Sequence, residues 1–266
     1  MSTTENNAKL LELNYNAQLA ALREIGLLGA TETIPLGEIA DYMKWAGGLL
    51  DVQLAKVYKS DGPDKGKLFL FTTDEWDALS TNQQGNYLTL GVCVRAERQR
   101  FLISKSDMKT DGGAYTMLWS SERINVPNLT DYGPDSTGIY EDFDAAGMTD
   151  AIVTVAEARG VAYLPAQLSR AYKACTAEND GVDDPVVWSM ATLAHLRIMS
   201  KYRSQINAVI STYIGSSYQL QSDWYWSANE YSADYAHRIH LGSGYVYTGY
   251  FTKNNSHYRV RAVSAL

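Results

Sequence analysis

The chain has 266 residues, 45% of them hydrophobic and 20% charged, enough for one large domain or two modest ones with real cores. Its formal net charge of −7 argues against a partner held through nucleic-acid phosphates, which would need clustered Lys and Arg. Tyrosine stands out, 19 residues against 5 phenylalanines, and a large rigid ring with a polar tip suits recognition surfaces.

The opening Met1-Ser2-Thr3-Thr4-Glu5-Asn6-Asn7 lacks the basic and apolar regions of a signal peptide. No apolar stretch approaches the roughly 20 residues that a membrane span needs. The expectation is a protein made in the cytoplasm without membrane insertion. From Ala8 to Leu28 the sequence reads as helix, with Leu10, Leu13, Ala17, Ala20 and Ala21 on one face. A second short helix is expected over Ile34–Met43, stopped at Gly47-Gly48. Residues 1–49 are thus expected to be a helical segment for oligomerisation or attachment.

Residues 50–109 read as a small strand-rich domain. Val52–Tyr58 alternates, Ser60–Gly66 is turn chemistry, and Lys67–Thr72 is the next strand. A short helix over Asp74–Leu79 is expected to be capped by Thr73, followed by strands Leu88–Arg95 and Gln99–Ser104. Asp61 onwards fails as a calcium loop, because its twelfth position is Thr72 and not a bidentate Glu. Cys93 and Cys175 form no CxxC, zinc spacing or disulfide framework and read as buried thiols.

Residues 110–266 mix helices, short strands and polar loops. Helices are expected over Thr149–Arg159, over Pro165–Ala177, and over Trp188–Ile214 with one break. From Trp224 the chain turns tyrosine-rich. Arg238–Leu241 and Tyr245–Tyr247 alternate around Gly242-Ser243-Gly244, which predicts a β-hairpin. Period two sends Ile239, Leu241 and Val246 to a buried side. Arg238, His240, Tyr245 and Tyr247 then share the other, and Tyr258–Val263 supplies one more strand. The decorated side has the composition of a binding surface.

Asn, Tyr, Asp, His, Ser, Thr, Gly and Arg are all reachable from an AAC or AAT codon by changing its first two letters. Lys, Glu, Gln, Met and Trp are not. Between Tyr231 and Thr252 none of those five occurs, while the reachable set dominates.

Trp224-Tyr225-Trp226-Ser227-Ala228-Asn229-Glu230-Tyr231, then Ala236, Gly244-Tyr245-Val246 and Arg259-Val260-Arg261-Ala262-Val263, resemble a known group. They are similar to the variable proteins of diversity-generating retroelements, especially those of gut Bacteroidales and their phages, related to phage major tropism determinants. Asn125–Thr130, Asp142–Gly147 and the helix through Leu193–Met199 extend the resemblance upstream. It implies an α+β fold: a C-type-lectin-like domain over 110–266, preceded by a small helix-plus-strand N-terminal region. In that family an error-prone reverse transcriptase rewrites adenine-derived positions, here within residues 224–261.

Carried over position by position, Trp226, Ser227, Glu230, Ala236, Gly244, Val246, Arg259, Val260 and Arg261 match the constant scaffold. The ligand-facing set implied is Tyr231, Asp234, Tyr235, His237, Arg238, His240, Tyr245, Tyr247, Tyr250, Asn254, Asn255 and His257. His237 stands where related sequences often carry an aromatic, and Ala262 where many carry Pro. The implied function is display of a Tyr-rich surface to a protein or glycan receptor on a cell surface. The implied setting is a phage virion, as a receptor-binding or tail protein and a homo-oligomer, with a trimer favoured.

Other functions find less support. The cysteine spacing offers no oxidase pair, and His195 lies in a helix as a core or surface histidine. Alternation puts His237 and His240 on opposite faces, against a His237–His240–His257 metal site. The calcium motifs of sugar-binding lectins are absent, and Ser136 occupies the glycine position of the acidic run Asp131–Asp142. No catalytic residue, metal or cofactor is assigned. A structural virion or cell-surface protein with a fixed protein- or carbohydrate-binding surface is the alternative.

Overall fold

A computed structural model of the chain describes residues 50–133, 136, 138–247 and 252–266, together with Asn16 and Ala20. Asn16 and Ala20 are both helical. The rest of the expected helix Ala8–Leu28, the helix expected over Ile34–Met43, and Tyr250 lie outside the described residues. The chain divides into two compact units, Met1–Asp51 with Arg95–Gln99, and Val52–Val94 with Arg100–Leu266.

The fold mixes helix and sheet. Strands β1 (Asp51–Tyr58) and β2 (Leu68–Phe71) lead into two single-turn helices, α1 (Thr73–Asp77) and α2 (Thr81–Gln84). Strands β3 (Tyr87–Ala96) and β4 (Gln99–Asp107) follow. The cap of α1 is Thr72, one residue before the expected Thr73, because Glu75 reaches back to close a capping box. Helix α2 escaped the sequence reading, although Ser80 and Gln83 form the same box. Gly91 sits where β3 crosses β4: a Cβ there would lie 1.9 Å from the Ile103 carbonyl oxygen.

Helix α3 (Ala145–Arg159) begins four residues before the expected Thr149, capped by Asp144. Helix α4 (Leu164–Ala171) ends well short of Ala177, because Tyr172 turns extended; Thr176 caps a separate turn, α5 (Ala177–Asp180). Trp188 does not open a helix. Ser189–Met190 form a two-residue strand, β5, and helix α6 (Leu193–Lys201) starts only after the Thr192 cap. The expected break falls at Tyr202, before helix α7 (Arg203–Tyr213).

Strands β6 (Trp224–Glu230), β7 (Ala236–His240) and β8 (Tyr245–Tyr247) form a three-stranded antiparallel sheet. The last strand, β9, is Arg261–Ala265 and not Tyr258–Val263. Tyr258 and Arg259 make only single bridges, to Met117 and Tyr225. Strand β9 enters the larger sheet, whose order is β2-β1-β3-β4-β9-β5. The boundary expected near residue 109 therefore separates nothing: the C-terminal strand is hydrogen-bonded beside β4, so Val52–Val94 and Arg100–Leu266 are one unit.

Trp119, Trp188 and Trp226 fill the core, and each indole N–H has an acceptor. Trp119 donates to the Ser227 carbonyl (2.9 Å), Trp226 to the Met117 carbonyl (3.0 Å) and Trp188 to Asp184 (2.8 Å). Cys93 and Cys175 are buried; burial, helped by Asp184, pushes the Cys175 thiol up to about 12. His195 is a core histidine, edge-on to Phe101 and Phe143, and burial holds it down at about 3. No helix among the described residues is long and apolar enough to cross a membrane.

Candidate functional site: an aromatic face on a clamped sheet

The three-stranded sheet has two different sides. The register pairs Trp224 with His240 and Trp226 with Arg238, and then Arg238 with Tyr247 and His240 with Tyr245. Directly opposed residues share a face, so these six side chains lie together. The other face carries Tyr225 and Ile239, both fully buried, and half-buried Val246. Gly244, at φ 73°, gives the β7–β8 turn a left-handed residue that a side chain would strain.

Trp224 is the centre of the outward side. Its ring meets His240 at 5.4 Å, and Tyr245, Tyr247 and Tyr258 at 6.2–6.4 Å. The Arg238 guanidinium lies under this group, 4.5 Å from the rings of Trp224 and Tyr258 and 5.1 Å from that of Tyr247. It also donates to the Tyr258 hydroxyl. A cation enclosed by π faces is attracted to each of them, and it helps hold the rings together. Tyr245, 58% exposed, is the outermost ring.

A second aromatic group sits at the far end of the hairpin. Tyr231 packs against Tyr235 at 6.2 Å and His237 at 5.4 Å. The His237 Nε2–H donates to the Tyr132 carbonyl (2.8 Å), which leaves Nδ1 buried without a partner. Burial holds this imidazole at about 4, so it is neutral. Asp234 is exposed at the turn, and its carbonyl accepts from the Lys253 backbone N–H (3.0 Å). Asn254 accepts from Arg123 Nε (2.9 Å), while Asn255 and His257 are exposed.

The twelve residues expected to face a ligand therefore separate. Tyr245, Tyr247 and His240 are together on the Trp224 face; Tyr231, Tyr235 and Asp234 surround the hairpin's other end. Two are corrected: His237 is 1% exposed and Arg238 3% exposed. His237 alternates away from Arg238 and is covered by Tyr231 and the Tyr132 loop, and Arg238 is roofed by three rings. Alternation assigns a side of the sheet and does not assign depth. His237 and His240 point to opposite faces as expected, which separates the two histidines.

The expected frame residues are largely buried, Trp226 on the same side of the sheet as Trp224. Trp226, Ser227, Glu230, Ala236, Val260 and Arg261 are buried, with Val246 and Arg259 half-buried and Gly244 exposed in its turn. Two charged knots lock this frame to distant segments. The Glu230 carboxylate accepts from Lys253 Nζ and from the Val126 backbone N–H (3.1 Å), and both side chains of the pair are 0% exposed. Lys253 Nζ also donates to the Ile124 carbonyl (2.9 Å) and lies 4.8 Å from the Trp119 ring. Burial pushes Glu230 up and Lys253 down from their ordinary values. In the second knot, Asp107 accepts from the Tyr225 hydroxyl (2.9 Å), Arg259 (3.1 Å) and Arg261 (2.9 Å).

Sequence reasoning missed three functional side chains. Trp224 and Tyr258, which build the ring cluster, were read only as part of a motif and a strand. Lys253 sits in a polar run, and the one available signal was its codon: it breaks the reachable set immediately after Thr252. No protein-family model matches the chain, and neither does any curated protein or solved structure.

Proposed function

We propose that the chain is a ligand-binding display protein of the retroelement-diversified type. Its C-terminal part is a C-type-lectin-like domain that offers the Trp224 face and the Tyr231 end of the hairpin to a receptor, protein or glycan, on a cell surface. The setting proposed is a phage receptor-binding or tail protein acting as a homo-oligomer, a trimer for preference. The reading requires no cofactor, metal or catalytic residue.

One observation carries it. The outward positions of the hairpin sit on a backbone held by buried contacts from elsewhere in the chain: Trp119 to Ser227, Trp226 to Met117, and Lys253 to Glu230 and Ile124. Such a surface can change its side chains without losing its fold, since exposed substitutions away from special features cost within about 0.5 kcal/mol. Rings already packed against one another also lose little freedom on binding, which lowers the ordering cost. An oligomeric array would add avidity to sites that are individually weak.

The burial of His237 and Arg238 favours a second reading, a fixed binding surface, because neither position could vary freely. The DNA flanking the gene decides between them. Diversification requires a near-copy of the segment encoding Trp224–Val263 beside a reverse-transcriptase gene, differing only where the copy carries adenine. A flank without such a copy, or differences spread over all four bases, leaves the fixed surface.

A further inference from the structure

A groove outside the aromatic face carries the chemistry of a small-ligand site. Two adjoining recesses of about 350 and 400 Å³ share Ser106, Asp107, Tyr115 and Tyr218 as walls. Each alone is within the size range of ligand pockets. None of the lining residues belongs to the Trp224 face.

The groove is positively charged in an acidic protein. Arg259 and Arg261 line it beside Asp107, Lys109 lines it next to Tyr115, and Lys105 lies over Tyr218. The opposing carboxylates are Asp107 and Asp223, two against four cations. Asp107 is already saturated by three donors, two of them guanidinium groups. The ammonium groups of Lys105 and Lys109 are laid on tyrosine rings, at 5.1 and 4.5 Å, rather than on carboxylates. Arg261 is 1% exposed and its Nε has no acceptor.

Charge alone does not define the ligand. Tyr115 is 39% exposed, with Lys109 and Arg259 over its ring, and Ser216 and Ser217 are exposed residues lining the second recess. An exposed ring beside cations and hydroxyls suits a molecule with an apolar ring face, several hydroxyls and one anionic group. We propose that this groove binds a carboxylated sugar, its carboxylate taken by Lys109 and Arg259, its ring laid on Tyr115 and its hydroxyls bonded to Ser216 and Ser217.

The test is calorimetric titration of the full chain with glucuronate and N-acetylneuraminate, with uncharged glucose and inorganic sulfate as comparisons. The proposal expects saturable binding of at least one acidic sugar, roughly tenfold tighter than glucose or sulfate. Added salt should weaken it. Tyr115→Ala and Lys109→Gln, both at exposed side chains, should each weaken it roughly tenfold, while Tyr245→Ala leaves it unchanged. Three results overturn it: no binding at millimolar sugar, equal binding of glucose or sulfate, or affinity unaffected by both groove variants. Loss of binding in Tyr245→Ala alone would also overturn it, by moving the sugar to the aromatic face.

Discussion

Strand β3 is buried without a break from Leu90 to Val94, and β4 from Phe101 to Ser104, whereas β8 buries none of its three residues. The large sheet is covered on both sides and is held by apolar packing, so nearly every inward and outward side chain counts. In the small sheet β6 is buried from Tyr225 to Glu230 and β7 from Ala236 to Ile239, and exposure is confined to β8 and the strand ends. The sheet is held through the Trp226–Met117 bond and the Glu230–Lys253 pair. Burial and exposure thus fall on different side chains of the same short segment. The exposed rings rest on buried aromatic and charged side chains, Trp226, Glu230 and Lys253 among them, that are anchored to distant segments.

Breaking the base should cost most. Lys253→Met leaves the Glu230 carboxylate buried without its cation, and the expected loss is about 3–5 kcal/mol, read from the urea unfolding midpoint. Replacing both partners, Glu230→Gln with Lys253→Met, should cost clearly less than Lys253→Met alone; an equal or larger loss would mean that the pair is not the clamp. Trp226→Ala should lose a similar amount, about 3–5 kcal/mol, by opening a cavity and removing the indole bond to the Met117 carbonyl.

The next effect is on acid stability. His195 and His237 are neutral when folded, at about 3 and about 4, against 6.5 when unfolded. Below 6.5 the unfolded chain takes up protons that the folded chain refuses. Stability is therefore full above about pH 6.5 and falls as pH drops towards 4, His237 accounting for about 3 kcal/mol of that loss. His237→Phe should flatten the midpoint-against-pH curve over this window. Parallel curves for variant and wild type would contradict the burial assigned to this ring.

Smaller still is the helix cap beside the large sheet. Thr72→Ala removes the hydroxyl arm of a capping box and should cost about 1 kcal/mol. Tyr245→Ala marks the other extreme: within about 0.5 kcal/mol of wild type by thermal denaturation, yet lowering affinity for the proposed cell-surface receptor.

The sequence made some of this legible and hid the rest for physical reasons. The β7–β8 hairpin could be read because alternation and the Gly242-Ser243-Gly244 turn are local signals, and Ile239 and Leu241 lie inside as that pattern requires. The depth of Arg238 could not, because one of the rings that roof it, Tyr258, arrives from beyond the hairpin. Trp188 was misread for a similar reason. Its neighbours Ser189 and Met190 are strand only because they pair with Val263 and Ala262, more than seventy residues later in the chain. Lys253 finds its partner Glu230 across the hairpin, so nothing in its immediate run signals burial. The boundary expected between residues 109 and 110 has no counterpart because β9 joins β4 from the opposite end of the chain.

The most direct test of a changeable surface on a fixed base is a library. Tyr231, Asp234, Tyr235, His240, Tyr245 and Tyr247 would be randomised together with codons derived from AAC, and members sorted for protease resistance. A matched library would randomise Trp226, Ser227, Glu230, Lys253 and Arg261. If the account holds, most members of the first library stay folded with midpoints close to wild type, and almost none of the second do. A first library that unfolds as completely as the second would contradict it, and would make the aromatic face part of the core.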